Sequence, residues 1–238
     1  MPRTACAIAL LFVLVAGEAP GSAAAAPAPA PALFGTVEAP AGPDETVPQW
    51  QDVLRELARE RAVIESCHAV AVACPSRAAA EWLRVLDGLA GRPPLEQLRG
   101  VNAFVNRWTY RTDAENYGRS DRWATPLRFF RRSGDCEDYA IAKYVSLRRL
   151  GFAPERLRLV VLHDAARDLA HAVLAVFLDD GVRVLDNLAA DVLPQQQLTH
   201  YQPYYSLNEV ATWLHTAPEP RVAAIGIGGA SAAPAGRR

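Results

Sequence analysis

Gly134-Asp135-Cys136-Glu137-Asp138-Tyr139 places one thiol at the first turn of a segment whose apolar residues (Ala140, Ile141, Tyr144, Val145, Leu147) recur at helical spacing as far as Gly151. Backbone N–H groups at a helix start lack intrahelical partners and carry the positive end of the macrodipole, so a thiolate is best stabilised there. Asp135 reads as the N-cap and Asp138 as the third helical residue. The three acids around Cys136 work in the opposite sense, because negative charge raises a thiol's pKa. A hard cation held by carboxylate oxygens would resolve the conflict.

A thiol nucleophile needs a base, and the base needs a group that orients it. Three β-rich runs follow the helix, at residues 157–162, 171–178 and 182–185, and Asp179-Asp180-Gly181 marks a hairpin between the last two. A two-residue loop there pairs odd with even positions. His171 and Asp186 then share one face of the sheet, two to four residues apart along the strands, and the shorter offset brings them into diagonal reach. A helix packed on that face would complete the line: Cys136 as nucleophile, His171 as base, Asp186 as orienter, with N–H groups of the helix start for an oxyanion. His163 at a strand end competes with His171, and Asn187 with Asp186. Asp164, Asp168, Asp179 and Asp180 read as solvated turn residues. An inert, buried Cys136 is the reading without chemistry.

The surrounding elements must hold these groups. Trp50, Val53, Leu54 and Leu57 predict one helix; Ser76 caps a second carrying Trp82, Val85, Leu86 and Leu89; a third follows Pro93-Pro94 with Leu98, Val101, Phe104, Val105 and Trp108. Residues 111–125 read as a long ordered loop, and Ser206-Leu-Asn-Glu209 as a capping box opening a last helix through Val210, Trp213 and Leu214. Tyr201, Tyr204 and Tyr205 pack against the sheet. Arg128, Arg131 and Arg132 are a solvated basic face or a reader of acidic substrate.

The 238 residues carry a formal net charge of -1, and with no basic surplus nothing asks for nucleic acid. Residues 1–26 read as an export signal: Arg3, an apolar core at 5–15 too short to span a membrane, and small residues with Ala-x-Ala cleavage options; an uncleaved anchor is the alternative. Residues 27–46 are an Ala/Pro-rich linker, 47–216 the folded domain and 217–238 a flexible tail. In an oxidising compartment Cys67 and Cys74 form a local disulfide or remain buried thiols, a Cys67/His68/Cys74 metal site being a weaker third option, and Cys136 is left unpaired.

Trp108-Thr-Tyr110, Asp121-Arg-Trp-Ala-Thr-Pro126, the run from Gly134 to Lys143, His171-Ala-Val-Leu174 and Leu185-Asp-Asn187 together resemble the bacterial transglutaminase-like cysteine proteases of the LapG type. The resemblance implies an α+β, transglutaminase-like and papain-like fold, with N-terminal helices packed on a mainly antiparallel sheet and the catalytic cysteine at a helix N-terminus. It implies a Ca2+-dependent periplasmic endopeptidase that clips the N-terminal region of a large surface adhesin near paired alanines, releasing cells from a biofilm. Carried over by position, the catalytic residues fall on Cys136, His171 and Asp186, the calcium ligands on Asp135 and Glu137, with Asp121 and Asp138 as further ligands, and a groove-side tryptophan on Trp108. It also implies a partner, an inner-membrane receptor that senses cyclic di-GMP and sequesters the protease through a periplasmic domain. The rivals are a transglutaminase or a cell-wall amidase on the same scaffold, and a non-catalytic, calcium-ordered periplasmic binding module.

Overall fold

The computed structural model describes residues 32–42, 45–118 and 121–218, so the expected export signal and nearly all of the expected tail lie outside the described residues. Six α-helices precede or flank a seven-stranded antiparallel sheet. The helices are α1 (Pro48–Ala69), α2 (Arg77–Leu89), α3 (Pro94–Val105), α4 (Asp113–Tyr117), α5 (Pro126–Arg132) and α6 (Cys136–Arg149). The strands are β1 (Val37–Pro40), β2 (Leu157–Asp164), β3 (Leu169–Leu178), β4 (Gly181–Leu185), β5 (Leu193–Pro194), β6 (Tyr201–Leu207) and β7 (Thr212–Thr216), in the spatial order β1-β7-β6-β2-β3-β4-β5. No helix among the described residues is long and apolar enough to cross a membrane.

Because strand side chains alternate, the sheet has two unlike faces. Leu157, Leu159, Leu174, Val176, Leu185 and Leu207 join the helices in the main core, where Trp50, Trp82, Phe129, Ile141 and Tyr144 are almost fully buried. Val160, Leu162, Val173, Ala175, Phe177 and Val184 line the other face under Leu33, Leu198 and Tyr201. α6 packs on the first face, against β3 and β2. Its end is set by Gly151, whose φ of +95° is open to glycine and whose N–H bonds to the Arg148 carbonyl.

Four expectations need correction. Residues 206–216 form a hairpin, not a helix. Asn208 Oδ1 accepts from the N–H groups of Val210 and Ala211, and this turn leaves residues 212–216 to pair with β6 and β1. Residues 33–40, inside the expected linker, are packed: Leu33 is fully buried, β1 pairs with β7, and Thr36 Oγ1 bonds to His215 Nδ1 at 2.7 Å. The loop at 111–125 holds a short helix, α4, whose Thr112 and Glu115 make a reciprocal capping box, and α5 begins directly after it. Asp164 is fully buried rather than solvated, because it ties down the following turn through the N–H groups of Ala166 and Arg167 and the Arg167 guanidinium.

Cys67 and Cys74 form a disulfide, which removes both the free-thiol and the metal-site alternatives, and His68 bonds instead to Asp87 at 2.7 Å. Ser76 caps α2 as its position suggested, accepting from Ala79 N–H at 3.1 Å. Arg128 pairs with Glu56 on α1, whereas Arg131 and Arg132 are exposed.

Candidate active site

Cys136 is the first residue of α6 and the one free cysteine among the described residues. Its place depends on the preceding glycine. A Cβ on Gly134 would come within 2.0 Å of Asp138 Oδ2 and 2.6 Å of Asp138 Cβ, so no larger residue fits while Asp138 stays buried there. Asp138 in turn accepts from Ala124 N–H at 2.6 Å, which ties the start of α6 to the loop before α5. On the other side Arg111 N–H bonds to the Gly134 carbonyl at 2.9 Å, and Tyr139 donates its hydroxyl to the Trp108 carbonyl.

The hairpin joining β3 and β4 has Asp179-Asp180 as its loop, with Leu178 opposite Gly181 and Leu174 opposite Leu185. Continuing that register, Asp186 falls beside Val173, two residues from His171 on the same face. The buried His171 Nε2 lies 2.9 Å from Asp186 Oδ1. Since an ionised carboxylate only accepts, Nε2 carries the proton and Nδ1 is the nitrogen left for other work. Burial alone would push the Asp186 carboxyl up. The hydrogen bond and charge of His171, the Leu188 N–H and the Tyr201 hydroxyl outweigh it and hold Asp186 at about 2.

One expected contact is made differently. α6 does not pack on the face that carries His171; it packs on the opposite one. β4 ends at Leu185, which leaves the edge of β3 open near its start, and there the Ala172 N–H lies close enough to the Cys136 sulfur to favour its thiolate. The thiol therefore meets β3 at its edge, one residue from His171. The rival His163 sits on β2, 3.5 Å from Asp168, and makes no contact with Asp186.

The acids around Cys136 behave as charge opposition predicts. Burial, followed by the charge of Glu137 and a hydrogen bond to its carboxylate at 3.1 Å, drives the thiol far above its ordinary value. Burial and mutual repulsion likewise raise Asp135, with Glu137, Asp138 and Asp113 as the repelling charges. Asp135 stands at the N-cap position without capping; its carboxylate is turned instead into a cluster with Glu137 and Asp113, whose ligand oxygens all lie within 4.8 Å of one another. Oδ1 of Asp113 and Oδ1 of Asp135 are buried with no hydrogen-bond partner. Three converging carboxylates with orphaned oxygens fit a hard divalent cation such as Ca2+, which takes oxygen ligands at short range.

Asp113 was not legible as part of this cluster, although the Thr112-x-x-Glu115 capping box that places it at the start of α4 was present in the sequence. Asp121 bonds to Gln49 and to the Trp123 indole, and Asp138 to Ala124, so neither joins the three-acid group. Trp108 packs among Phe104, Phe129 and Phe130 and gives its indole N–H to the Phe130 carbonyl at 3.2 Å. It buttresses the start of α6. The half-exposed aromatic beside Cys136 is Tyr110, which feels the charges of Cys136, Asp135 and Glu137 and stacks on Tyr139.

A cysteine at a helix start, set against a strand edge with a buried imidazole–carboxylate pair beside it, defines the transglutaminase-like class of thiol enzymes. Residues 61–218 match the family described as bacterial transglutaminase-like cysteine proteinase (BTLCP), and the chain belongs to that family. Among solved structures it is similar to Legionella pneumophila LapG, with 29% sequence identity and a TM-score of 0.57 over 63% of this chain and 87% of that one. The calcium-bound form of that protein gives the same values, and the EGTA-treated form matches at 29% identity over 64% and 86% with the same TM-score. No curated protein sequence matches the chain.

Proposed function

We propose that this cysteine protease acts as a Ca2+-dependent periplasmic endopeptidase on the N-terminal region of a large surface adhesin, with Cys136 as nucleophile, His171 as general base and Asp186 as orienter. The observation that carries the proposal is the buried 2.9 Å contact of His171 Nε2 with Asp186, one residue along β3 from Ala172, whose N–H favours the Cys136 thiolate. In this reading Nδ1 of His171 takes the thiol proton as sulfur attacks the scissile carbonyl. The developing oxyanion is met by N–H groups of the α6 start. His171 then returns the proton to the departing amine as the C–N bond breaks, leaving a thioester on Cys136. Water attacks the thioester, gives a proton to His171 and releases the carboxylic acid, and the thiol is restored.

Asp113, Asp135 and Glu137 would hold the cation. When bound, it would cancel the acidic cluster and make the thiolate easier to form. Two comparison structures of Legionella LapG, one calcium-bound and one EGTA-treated, support this part of the reading. Export to the periplasm rests on the export-signal pattern read in residues 1–26, and sequestration by an inner-membrane cyclic di-GMP receptor rests on family resemblance.

Cys136→Ala should abolish cleavage of an adhesin N-terminal fragment while leaving the circular dichroism spectrum and unfolding midpoint unchanged. Retained cleavage would end the proposal. N-terminal sequencing of the products, run with and without a primary amine, separates hydrolysis of a peptide bond from acyl transfer. A fresh N-terminus with no incorporated amine is the expected result.

A further inference from the structure

Strand β6 carries an irregularity whose consequence reaches the active site. Val160 and Val161 of β2 pair with Ser206 and Tyr205, but Leu162, His163 and Asp164 pair with Pro203, Gln202 and Tyr201, because a bulge absorbs one residue between Val161 and Leu162. In an unbroken register Gln202 would oppose Asp164, and Tyr201 would face the helices. The extra residue reverses that, putting Tyr201 on the face that carries His171 and leaving Tyr204 53% exposed.

Tyr201 is 4% exposed, and its hydroxyl donates to Asp186 Oδ2. The Asp186 carboxylate is thereby fully engaged: Oδ1 accepts from His171 Nε2 and from Leu188 N–H, and Oδ2 accepts from Tyr201. The ring is fixed on three sides, by the edge of Phe34 at 5.8 Å, His171 at 5.9 Å and His200 at 4.5 Å between centroids. Burial, together with the donated bond and the Asp186 charge, raises the phenol far above its ordinary value, so the group remains a neutral donor. Other charges near this assembly are Asp164 and Arg167 on the Tyr201 side and Lys143 of α6 on the Asp186 side.

Building on the proposed roles of His171 and Asp186, we infer that Tyr201 is a positioning residue for the reaction: its hydroxyl locks the rotation and the charge distribution of the carboxylate that orients His171. A carboxylate that loses this donor keeps a buried, unsatisfied oxygen, turns more freely, and concentrates its charge on the imidazole.

The test uses the full mature chain with calcium present. Tyr201→Phe keeps the ring contacts and should lower kcat roughly tenfold with KM within about twofold, the loss of an interaction that matters in the transition state. By proton NMR, the His171 Nε2–H resonance should move downfield as Asp186 leans harder on it. Placing 3-fluorotyrosine at position 201 makes a stronger donor and should move the same resonance upfield; this arm decides the matter if the phenylalanine variant does not fold. Unchanged kcat and an unmoved resonance, with Asp186→Asn inactive, would overturn the role of Tyr201 and leave the proposed triad intact. Full activity of Asp186→Asn would overturn both.

Discussion

Lys143 gives the sharpest test of the energetics around this site. It lies on α6, is fully buried, and its amino group has no hydrogen-bond partner; a Tyr139 ring stands 5.9 Å from it. Burial pulls its pKa from the ordinary 10.5 down to about 7, against the favourable charge of Asp186. A gap of that size corresponds to about 5 kcal/mol that the folded state loses whenever the amine must be charged. The sign follows from proton linkage. Between about pH 7 and 10.5 the unfolded chain holds a proton that the folded chain does not, so wild-type stability rises with pH across that window, and the whole penalty is present below it. Lys143→Met removes the charge and keeps the aliphatic stem, so it should stabilise the protein by about 1–4 kcal/mol at pH 6–7, the range found when buried ionic groups are replaced by well-packed apolar side chains. The gain should shrink by about 3 kcal/mol by pH 9.5, because the wild-type amine is then already neutral. Urea unfolding followed by tryptophan fluorescence at pH 6, 7, 8 and 9.5 reads this directly. A methionine variant less stable than wild type at pH 6, or a difference that stays flat with pH, would refute the reasoning.

Three further outcomes are expected. Asp113→Asn removes one of three converging carboxylates and should weaken Ca2+ binding at least tenfold by isothermal titration calorimetry, while leaving the fold intact; unchanged affinity would remove Asp113 from the cation site. Replacing both Cys67 and Cys74 by serine opens a short loop and should cost roughly 2–3 kcal/mol in urea unfolding with little change in kcat, since the disulfide joins α1 to the segment before α2, neither of which carries a residue of the proposed triad. Gly134→Ala forces a methyl group onto Asp138 and should abolish cleavage and lower the thermal midpoint, whereas Gly88→Ala, on the open surface of α2, should do neither.

Much of the site was legible because its determinants are local. A glycine, an acid and a cysteine ahead of an apolar stripe specify a helix start within a few residues of chain. A two-residue hairpin loop fixes strand parity, and parity alone puts His171 and Asp186 on one face, where they meet at 2.9 Å. The helices through Trp50, Trp82 and Leu98 followed from spacing in the same way. The hairpin at 206–216 was misread because Ser206 and Glu209 imitate a capping box, and nothing nearby announces that Asn208 will turn the chain instead.

What the amino-acid order determined by itself is the class of chemistry, one thiol at an amide-rich helix tip with an imidazole and a carboxylate in register on a neighbouring hairpin. Only the tertiary structure decided how these are brought together. It set α6 on the far face of the sheet, so that sulfur meets β3 at the edge vacated by β4, it drew Asp113 from a separate short helix into the acidic cluster, and it used one bulged residue to turn Tyr201 towards Asp186. The reason is physical: helix starts and hairpin parity are fixed by hydrogen bonds a few residues apart. Edges, clusters of like charge and register slips depend instead on contacts between segments tens of residues apart, whose stabilisation exists only once the core has formed.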